Sequence, residues 1–164
     1  MINQILILTA DPTDANILTS VLGKASDGPF KIEWLTLLAT GLERLRKGGI
    51  DAILVDLSLP DSSGIATFDQ LYAEASHTPI MTLSEEEEEP LAIEAVARGA
   101  QGYLSKGHFG SYLVPQSLRN IIQRKAVEEA FYKEKARAEI ALNSIGDAVI
   151  CTDTSGNIDG GREI

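Results

Sequence analysis

The chain lacks the features of a nucleic-acid-binding, disulfide-stabilised or membrane protein. It has one cysteine, Cys151, which excludes an internal disulfide and fits a reducing cytoplasm. Its formal net charge is −10, so the basic face that phosphate backbones require is missing. No apolar run approaches the ~20 residues that span a bilayer, and residues 1–4 do not resemble a signal peptide. We therefore predict a cytoplasmic protein that binds neither nucleic acid nor a membrane directly.

A short apolar run that ends in a carboxylate is the most informative stretch of the chain. Residues 52–55 are apolar, Asp56 follows them, and residues 57–64 are crowded with turn formers. A run bounded in this way predicts a strand buried on both faces, as in a parallel sheet. Asp56 then stands at the carboxyl end of the strand, where ligands bind in open α/β sheets. We interpret Asp56 as a nucleophile that accepts a phosphoryl group.

Strand and helix patterns alternate along most of the 164 residues, which are enough for one domain and an extension. Four further strands are predicted at residues 5–8, 30–34, 79–83 and 102–105. A helical pattern follows each strand, and the first helix is predicted to have Asp11 as its N-cap and Pro12 at its first position. This alternation predicts a five-stranded parallel sheet with helices on both faces.

Three polar side chains, Asp56, Ser84 and Lys106, each end a predicted strand. Because the ends of parallel strands emerge at one edge of a sheet, these side chains could converge on one pocket. A carboxylate can attack phosphorus, an ammonium can pair with a phosphate oxygen, and a hydroxyl can donate a hydrogen bond to another. A divalent cation such as Mg²⁺ normally neutralises the remaining charge. The set therefore predicts phosphoryl transfer onto Asp56.

The signatures of other α/β enzymes are missing. A dinucleotide-binding turn needs glycines after the first strand, but residues 8–12 contain none. The sequence contains neither a P-loop nor the Gly-x-Ser-x-Gly elbow of a hydrolase. These enzyme classes are therefore excluded as interpretations of the strand ends.

The same residues resemble the receiver domain of two-component response regulators. The matching stretches are VDLSLPD at 55–61, PIMTLS at 79–84 and GAQGYLSK at 99–106. The resemblance covers residues 3–125 and implies the flavodoxin-like, doubly wound receiver fold. It also implies that Asp56 takes a phosphoryl group from a sensor histidine kinase or a phosphotransfer protein. Ser84 then turns toward the phosphate and Tyr103 changes rotamer, so both are expected to act as switch residues.

The cation-binding part of the family pattern is altered in this chain. Receivers carry two adjacent acidic residues after the first strand, where this sequence has Thr9 and Ala10. The remaining expected ligands of Mg²⁺ are Asp56 and the backbone carbonyl of Ser58, while Asp11 could contribute only by swinging inward. We therefore expect weakened Mg²⁺ binding. The alternative function is a degenerate receiver, which serves as a phosphorylation-independent interaction or dimerisation module.

Two further features lie close to the expected pocket. The glutamate run at 85–89 is interpreted as a solvated loop before a helix, where negative charge is favourable, and Glu85 could add a carboxylate at the pocket rim. Gly107 follows Lys106 where the family usually has proline. Glycine gives no preference for a cis peptide bond, so a different loop geometry is expected.

The chain continues past the receiver pattern as one long helical stretch from Ser111 to Asn143. Either a weak coiled-coil seam or a single charge-laced helix fits its pattern. The apolar positions of the seam are Val127, Phe131, Ala138, Leu142 and Ile145. We predict a receiver domain at 1–125, a helical linker at 126–143 and the truncated start of a PAS-like domain at 144–164. A homodimer through the helix is expected, and no output enzyme is predicted on this chain.

Overall fold

Five parallel strands form the central sheet of the fold. The computed structural model describes the backbone of residues 2–25, 30–108 and 113–146, and it describes no side chains at 108, 113 and 132–146. The strands are β1 (Asn3–Leu8), β2 (Phe30–Leu35), β3 (Ala52–Asp56), the short β4 (Ser58–Leu59) and β5 (Ser62–Ser63), β6 (Ile80–Ser84) and β7 (Gly102–Ser105). The order across the sheet is β2-β1-β3-β6-β7, and every neighbouring pair is parallel. The predicted fold class is therefore confirmed.

Helices connect the strands and cover the sheet. They are α1 (Pro12–Gly23), α2 (Leu38–Arg46), α3 (Ile65–Glu74), α4 (Glu89–Arg98) and α5 (Leu113–Gly146), with the short 3₁₀ helices η1 (Glu86–Glu88) and η2 (Lys106–His108). The predicted cap of α1 is confirmed, since the Asp11 side chain accepts a hydrogen bond from the Thr13 backbone N–H. The glutamate run is not a plain loop as predicted. It forms η1, with a capping box between Glu85 and Glu88, because acidic side chains satisfy free N–H groups at a helix start.

The apolar core lies on both faces of the sheet, because successive strand residues point to opposite sides. On one face, β1 and β3 pack with α2, α3 and α4, and Phe68 is fully buried there. On the other face they pack with α1 and α5, and Leu18 and Leu118 are fully buried. Burying one side chain of this kind contributes roughly 1.5–3 kcal/mol relative to exposure. This double burial is why β1 and β3 were recognisable as continuous apolar runs.

The register of the sheet brings the ends of several strands to one edge. Asp56 of β3 pairs with Leu83 of β6, and Ser84 pairs with Ser105 of β7. Lys106 follows β7 directly. On the other side of β3, the last residue of β1 is Leu8, which pairs with Val55. The residues that follow β1 therefore begin beside Asp56.

The chain divides into two compact units, Met1–Lys125 and Ala126–Ile164. Of the predicted seam residues, Val127 and Phe131 are exposed, whereas Ala138, Leu142 and Ile145 lie where the side chains are not described. Of the predicted start of a PAS-like domain at 144–164, residues 144–146 end α5 and the rest lies outside the described residues. None of the helices in the described part of the chain has the length and apolar character needed to span a membrane.

Candidate functional site

Asp56 forms the centre of the candidate site. It is the last residue of β3 and is only 4% exposed. One carboxylate oxygen, Oδ1, accepts a hydrogen bond of 3.0 Å from the backbone N–H of Ser58. The other, Oδ2, accepts a hydrogen bond of 2.6 Å from the Lys106 ammonium. The sharp turn into β4 thus orients the carboxylate, and the end of β7 supplies its counter-charge.

Lys106 connects the strand-end carboxylate to a second acidic residue. Its ammonium lies 3.5 Å from Oδ2 of Asp14, in addition to its short bond to Asp56. Burial alone would lower the pKa of Lys106, but the hydrogen bond to Asp56 and the negative charges of Asp56 and Asp14 outweigh burial and raise that pKa. The ammonium is therefore held in its charged form. A charge-assisted bond of this length also fixes its position.

The other two predicted residues on this side lie along a groove that leaves the pocket. Ser84, at the end of β6, is buried, and the register places it one residue past the partner of Asp56. The Tyr103 hydroxyl donates a 2.8 Å hydrogen bond to Glu89, the first residue of α4. This bond raises the pKa of Tyr103. A groove of about 460 Å³ runs between these elements. It is lined by Ser84, Glu85, Glu86, Glu87, Glu89, Tyr103, Ser105, Lys106 and Gly107.

The β1 side of the pocket lacks the expected acids. Thr9 is fully buried, and its hydroxyl accepts a hydrogen bond from the Asp11 backbone N–H at 3.2 Å and points to Asp56 Oδ2 at 3.5 Å. The second of these contacts is long and therefore weak. Ala10 is exposed, and the Asp11 carboxylate is exposed and engaged in capping α1. The structure thus holds Asp11 at the helix start, outside the group that contacts Asp56.

Asp14 is the residue at this site that the sequence reasoning missed. It lies in the first turn of α1, is 8% exposed, and its Oδ2 atom accepts no hydrogen bond from any group in the described part of the chain. Burial raises the pKa of Asp14, and this effect outweighs the opposing charge of Lys106. A signal was available, because Asp14, Leu18 and Leu22 are spaced four residues apart and share the buried face of the helix. A carboxylate on that face points to a role in the pocket.

The ligand set of the pocket can be compared with the needs of a cation. Among the described residues, no three side chains of His, Cys, Asp or Glu are grouped to hold a metal. Mg²⁺, however, is commonly held by only one or two carboxylates, with water and phosphate oxygens completing its shell. The buried and unsatisfied oxygen of Asp14 is an acceptor that a cation would satisfy. The residues present therefore fit a divalent cation held by few protein ligands.

Asp61 has a structural role that the sequence reasoning did not assign. Both of its carboxylate oxygens accept backbone N–H bonds from the start of α2, at 2.8 Å from Leu38 and 3.0 Å from Ala39. These two bonds, that from Ala39 foremost, hold the pKa of Asp61 below its usual value. The N-cap position itself is Leu37, whose side chain has no acceptor. The loop after β3 thus caps a helix that precedes it in the chain.

Comparison with known proteins shows which family this chain resembles. The model of the response regulator receiver domain matches residues 5–114. The response regulator UvrY of Escherichia coli is 26% identical over 125 residues, which cover 76% of this chain and 50% of UvrY. The nitrate/nitrite response regulator protein NarL of Escherichia coli is 30% identical over 124 residues, again 76% of this chain and 50% of the relative. The chain spans about half the length of these relatives.

Solved structures of similar fold cover the same part of the chain. A response regulator receiver domain protein from Clostridium thermocellum superposes with a TM-score of 0.67 at 23% identity, covering 77% of this chain and 98% of that one. The signal receiver domain of an HD domain-containing protein from Pseudomonas fluorescens Pf-5 gives 0.68 at 19% identity, covering 78% and 92%. At these identities, the likeness concerns the fold.

Proposed function

Because the chain belongs to the response regulator receiver domain family, we propose that it is the phosphoryl-accepting module of a phosphorelay, with Asp56 as the phosphoacceptor. The observation that carries this proposal is the 2.6 Å bond between the Lys106 ammonium and a buried carboxylate at a strand end. An ammonium so placed can follow the negative charge as it moves onto the phosphoryl oxygens. The donor is a phosphohistidine of a sensor kinase or a phosphotransfer protein.

In the proposed transfer, an Asp56 oxygen attacks the phosphorus atom of the donor phosphohistidine. The new O–P bond forms as the P–N bond breaks, and the imidazole nitrogen keeps the electron pair and then takes up a proton. Lys106 pairs with a phosphoryl oxygen, and the Ser84 hydroxyl donates a hydrogen bond to another. The backbone N–H of Ser58 continues to orient the carboxylate. Mg²⁺, held by Asp56 and the Ser58 carbonyl, would neutralise charge on the transferring group when bound.

Phosphorylation of Asp56 is proposed to change the contacts along the groove. When Ser84 turns toward the phosphoryl group, space opens for Tyr103, whose hydroxyl bond to Glu89 would have to break. The readout would then pass along α5, with residues 126–143 as a helical linker and 144–164 as the start of a PAS-like domain. Homodimerisation through the helix and a cytoplasmic location complete the proposal. No enzymatic output is assigned to these residues.

The proposal is tested by incubating the chain with acetyl phosphate and Mg²⁺ and measuring its intact mass. We expect wild type to gain the mass of one phosphoryl group and Asp56→Asn to gain none. Asp11→Asn is the matched control, since it removes a nearby exposed carboxylate that caps α1. It should be phosphorylated to the same extent as wild type.

The result that would overturn the proposal is an absent adduct in wild type at millimolar Mg²⁺, or an adduct that survives in Asp56→Asn. The first outcome would indicate an interaction module that works without phosphorylation. The second would place the reactive group elsewhere. Hydroxylamine treatment adds a chemical check, because it cleaves an acyl phosphate and leaves a phosphoester on serine or threonine intact.

A further inference from the structure

We infer that Asp14, in the first turn of α1, is the second carboxylate of a divalent-cation site at Asp56, in place of the acids that are absent after β1. The inference rests on the proposed function in taking the Asp56 pocket as the reacting site. It adds a ligand from a helix, whereas the expected ligands came from a strand end and the loop after it. The occupant is a small, hard cation such as Mg²⁺ or Mn²⁺.

Asp14 lies close to the same ammonium that Asp56 contacts. The same ammonium lies 2.6 Å from Asp56 Oδ2 and 3.5 Å from Asp14 Oδ2, so both carboxylates face one small volume. The side chains of Asp14 and Asp56 are 11% and 6% exposed. Asp14 is held there by the helix, since its face of α1 continues into the buried Leu18. The carboxylate therefore reaches the pocket without any movement of the backbone.

The balance of charge leaves a need for a second cation. Two buried carboxylates share one ammonium, and Oδ2 of Asp14 accepts no hydrogen bond from the described residues. A buried acceptor without a donor is costly, and a buried uncompensated charge more so. A phosphoryl group on Asp56 would add further negative charge to the same volume. A divalent cation would bind Asp14 Oδ2, which has only the 3.5 Å ion pair with Lys106, and would neutralise this excess.

Other groups at the β1 end are less suited to this role. The Thr9 hydroxyl is uncharged and already accepts a hydrogen bond from the Asp11 backbone N–H. The Asp11 carboxylate is exposed and caps α1 through its bond with the Thr13 N–H. Recruiting Asp11 would break that cap, whereas Asp14 Oδ2 makes only the 3.5 Å ion pair with Lys106 and accepts no hydrogen bond from the described residues. Asp14 is therefore the ligand that the geometry favours.

The inference is tested by titrating Mn²⁺ into the full chain without any phosphoryl donor and counting free Mn²⁺ by electron paramagnetic resonance. We expect Asp14→Asn to weaken binding about 10-fold or more, as loss of a group that orients or ligates a metal does. Asp11→Asn is the matched control and should change binding less than about twofold, because exposed charges are screened. Thermal unfolding of each variant establishes that it is folded.

A second pair of variants keeps the test decisive. Asp14→Ser removes the same charge with a smaller side chain and should weaken binding as Asp14→Asn does. Adding Ala10→Asp to Asp14→Asn returns a carboxylate to the pocket from the end of β1 and should recover most of the affinity. Trp34, the only tryptophan, donates its indole N–H to the Thr9 carbonyl and gives an independent fluorescence readout beside the site.

Several outcomes would overturn the inference. They are an Asp14→Asn chain that binds Mn²⁺ like wild type, an equal loss in Asp11→Asn, and a wild type without Mn²⁺ binding at millimolar concentration. None of these outcomes depends on phosphorylation of Asp56. A failure here alongside an Asp56-dependent phosphoryl adduct would leave the proposed function standing, and the reverse pattern would leave the cation site standing.

Discussion

The two sides of the Asp56 pocket have equally regular strands, but only one side carries the residues expected of a receiver domain. On the side of β6 and β7, β6 ends at Ser84 and Lys106 directly follows β7, as the sequence analysis predicted. On the side of β1, the strand pairs with β3 in an unbroken parallel register, but Thr9 and Ala10 stand where the family resemblance led us to expect two acids. The sheet therefore sets where side chains emerge without fixing which side chains they are.

The β1 side is not without an acidic group, because helix α1 supplies one. Asp14 places a carboxylate at the pocket from the first turn of α1, next to the Lys106 ammonium. The β1 side thus keeps an acidic side chain, which comes from the first turn of α1 and not from the end of the strand. Lys106 links the two sides, because it follows β7 and its ammonium contacts Asp14 of the β1 side as well as Asp56. Variants of Lys106 and Asp14 should accordingly have opposite effects on stability.

The largest expected effect is that of Lys106→Met, which removes the shared counter-charge while keeping a chain of similar length. Asp56 and Asp14 would then remain buried without a cation. We expect the free energy of unfolding to fall by about 2 kcal/mol or more, measured by urea denaturation at pH 7 with a chelator present. Adding Asp14→Asn to this variant should recover part of the loss.

The control for Lys106→Met is Lys31→Met, which removes an ammonium from an exposed position on the edge strand β2. It should change the free energy of unfolding by less than about 0.5 kcal/mol. Equal losses in the two variants would mean that net charge, and not the shared contact in the pocket, governs stability.

A smaller effect of opposite sign is expected for Asp14→Asn in the absence of divalent cations. Its buried oxygen has no hydrogen-bond donor among the described residues, so the ionised carboxylate is costly there. Replacing it with the isosteric amide should raise the free energy of unfolding by about 1 kcal/mol in chelator at pH 7. Added Mn²⁺ should stabilise wild type and so narrow or reverse this difference.

The contrary result would be a loss of stability in Asp14→Asn as large as that in Lys106→Met. It would show that the contact between Asp14 and Lys106 outweighs the cost of burial. Asp11→Asn is again the control, because asparagine is as good an N-cap as aspartate and little change is expected.

The sequence predicted the elements whose burial leaves a strong pattern. The apolar runs at 52–55 and 79–83 predicted the strands now seen as β3 and β6. Strands that are buried on both faces need continuous apolar residues, and this makes them recognisable. The contact between Asp56 and Lys106 followed from the rule that parallel strands end at one edge. The short hairpin of β4 and β5 was not predicted, because two-residue strands leave no periodic signal.

Asp14 was missed because two principles gave different answers. An acidic residue in the first turn of a helix is favoured by the dipole, which makes it look like an ordinary surface residue. Its spacing from Leu18 and Leu22 instead places it on the buried face. Asp61 could not have been assigned, because it caps a helix 22 and 23 residues earlier in the chain, a contact that only the tertiary fold reveals.

The smallest effect concerns Asp61, which ties the loop after β3 to α2 and lies outside the pocket. Its folded-state pKa is lowered, chiefly by the Ala39 and Leu38 N–H groups, from the usual 3.8. Its stabilising contribution is thus present above pH 3.8 and is lost as pH falls through the lowered value. Asp61→Asn should therefore lower the midpoint of thermal unfolding at neutral pH. The difference from wild type should shrink as the pH falls below 3.8 toward the lowered pKa.

Asp69→Asn is the control for this pH dependence, because Asp69 pairs with Arg98 on the exposed surface and makes no cap. A deficit in Asp61→Asn that stays constant down to acidic pH would mean that the carboxylate charge contributes nothing to capping α2. A phosphorylation assay further distinguishes the Asp61 cap of α2 from the Asp56 pocket. Since Asp61 acts on α2 while Asp56 is held by Ser58 and Lys106, Asp61→Asn should lower the midpoint without preventing adduct formation.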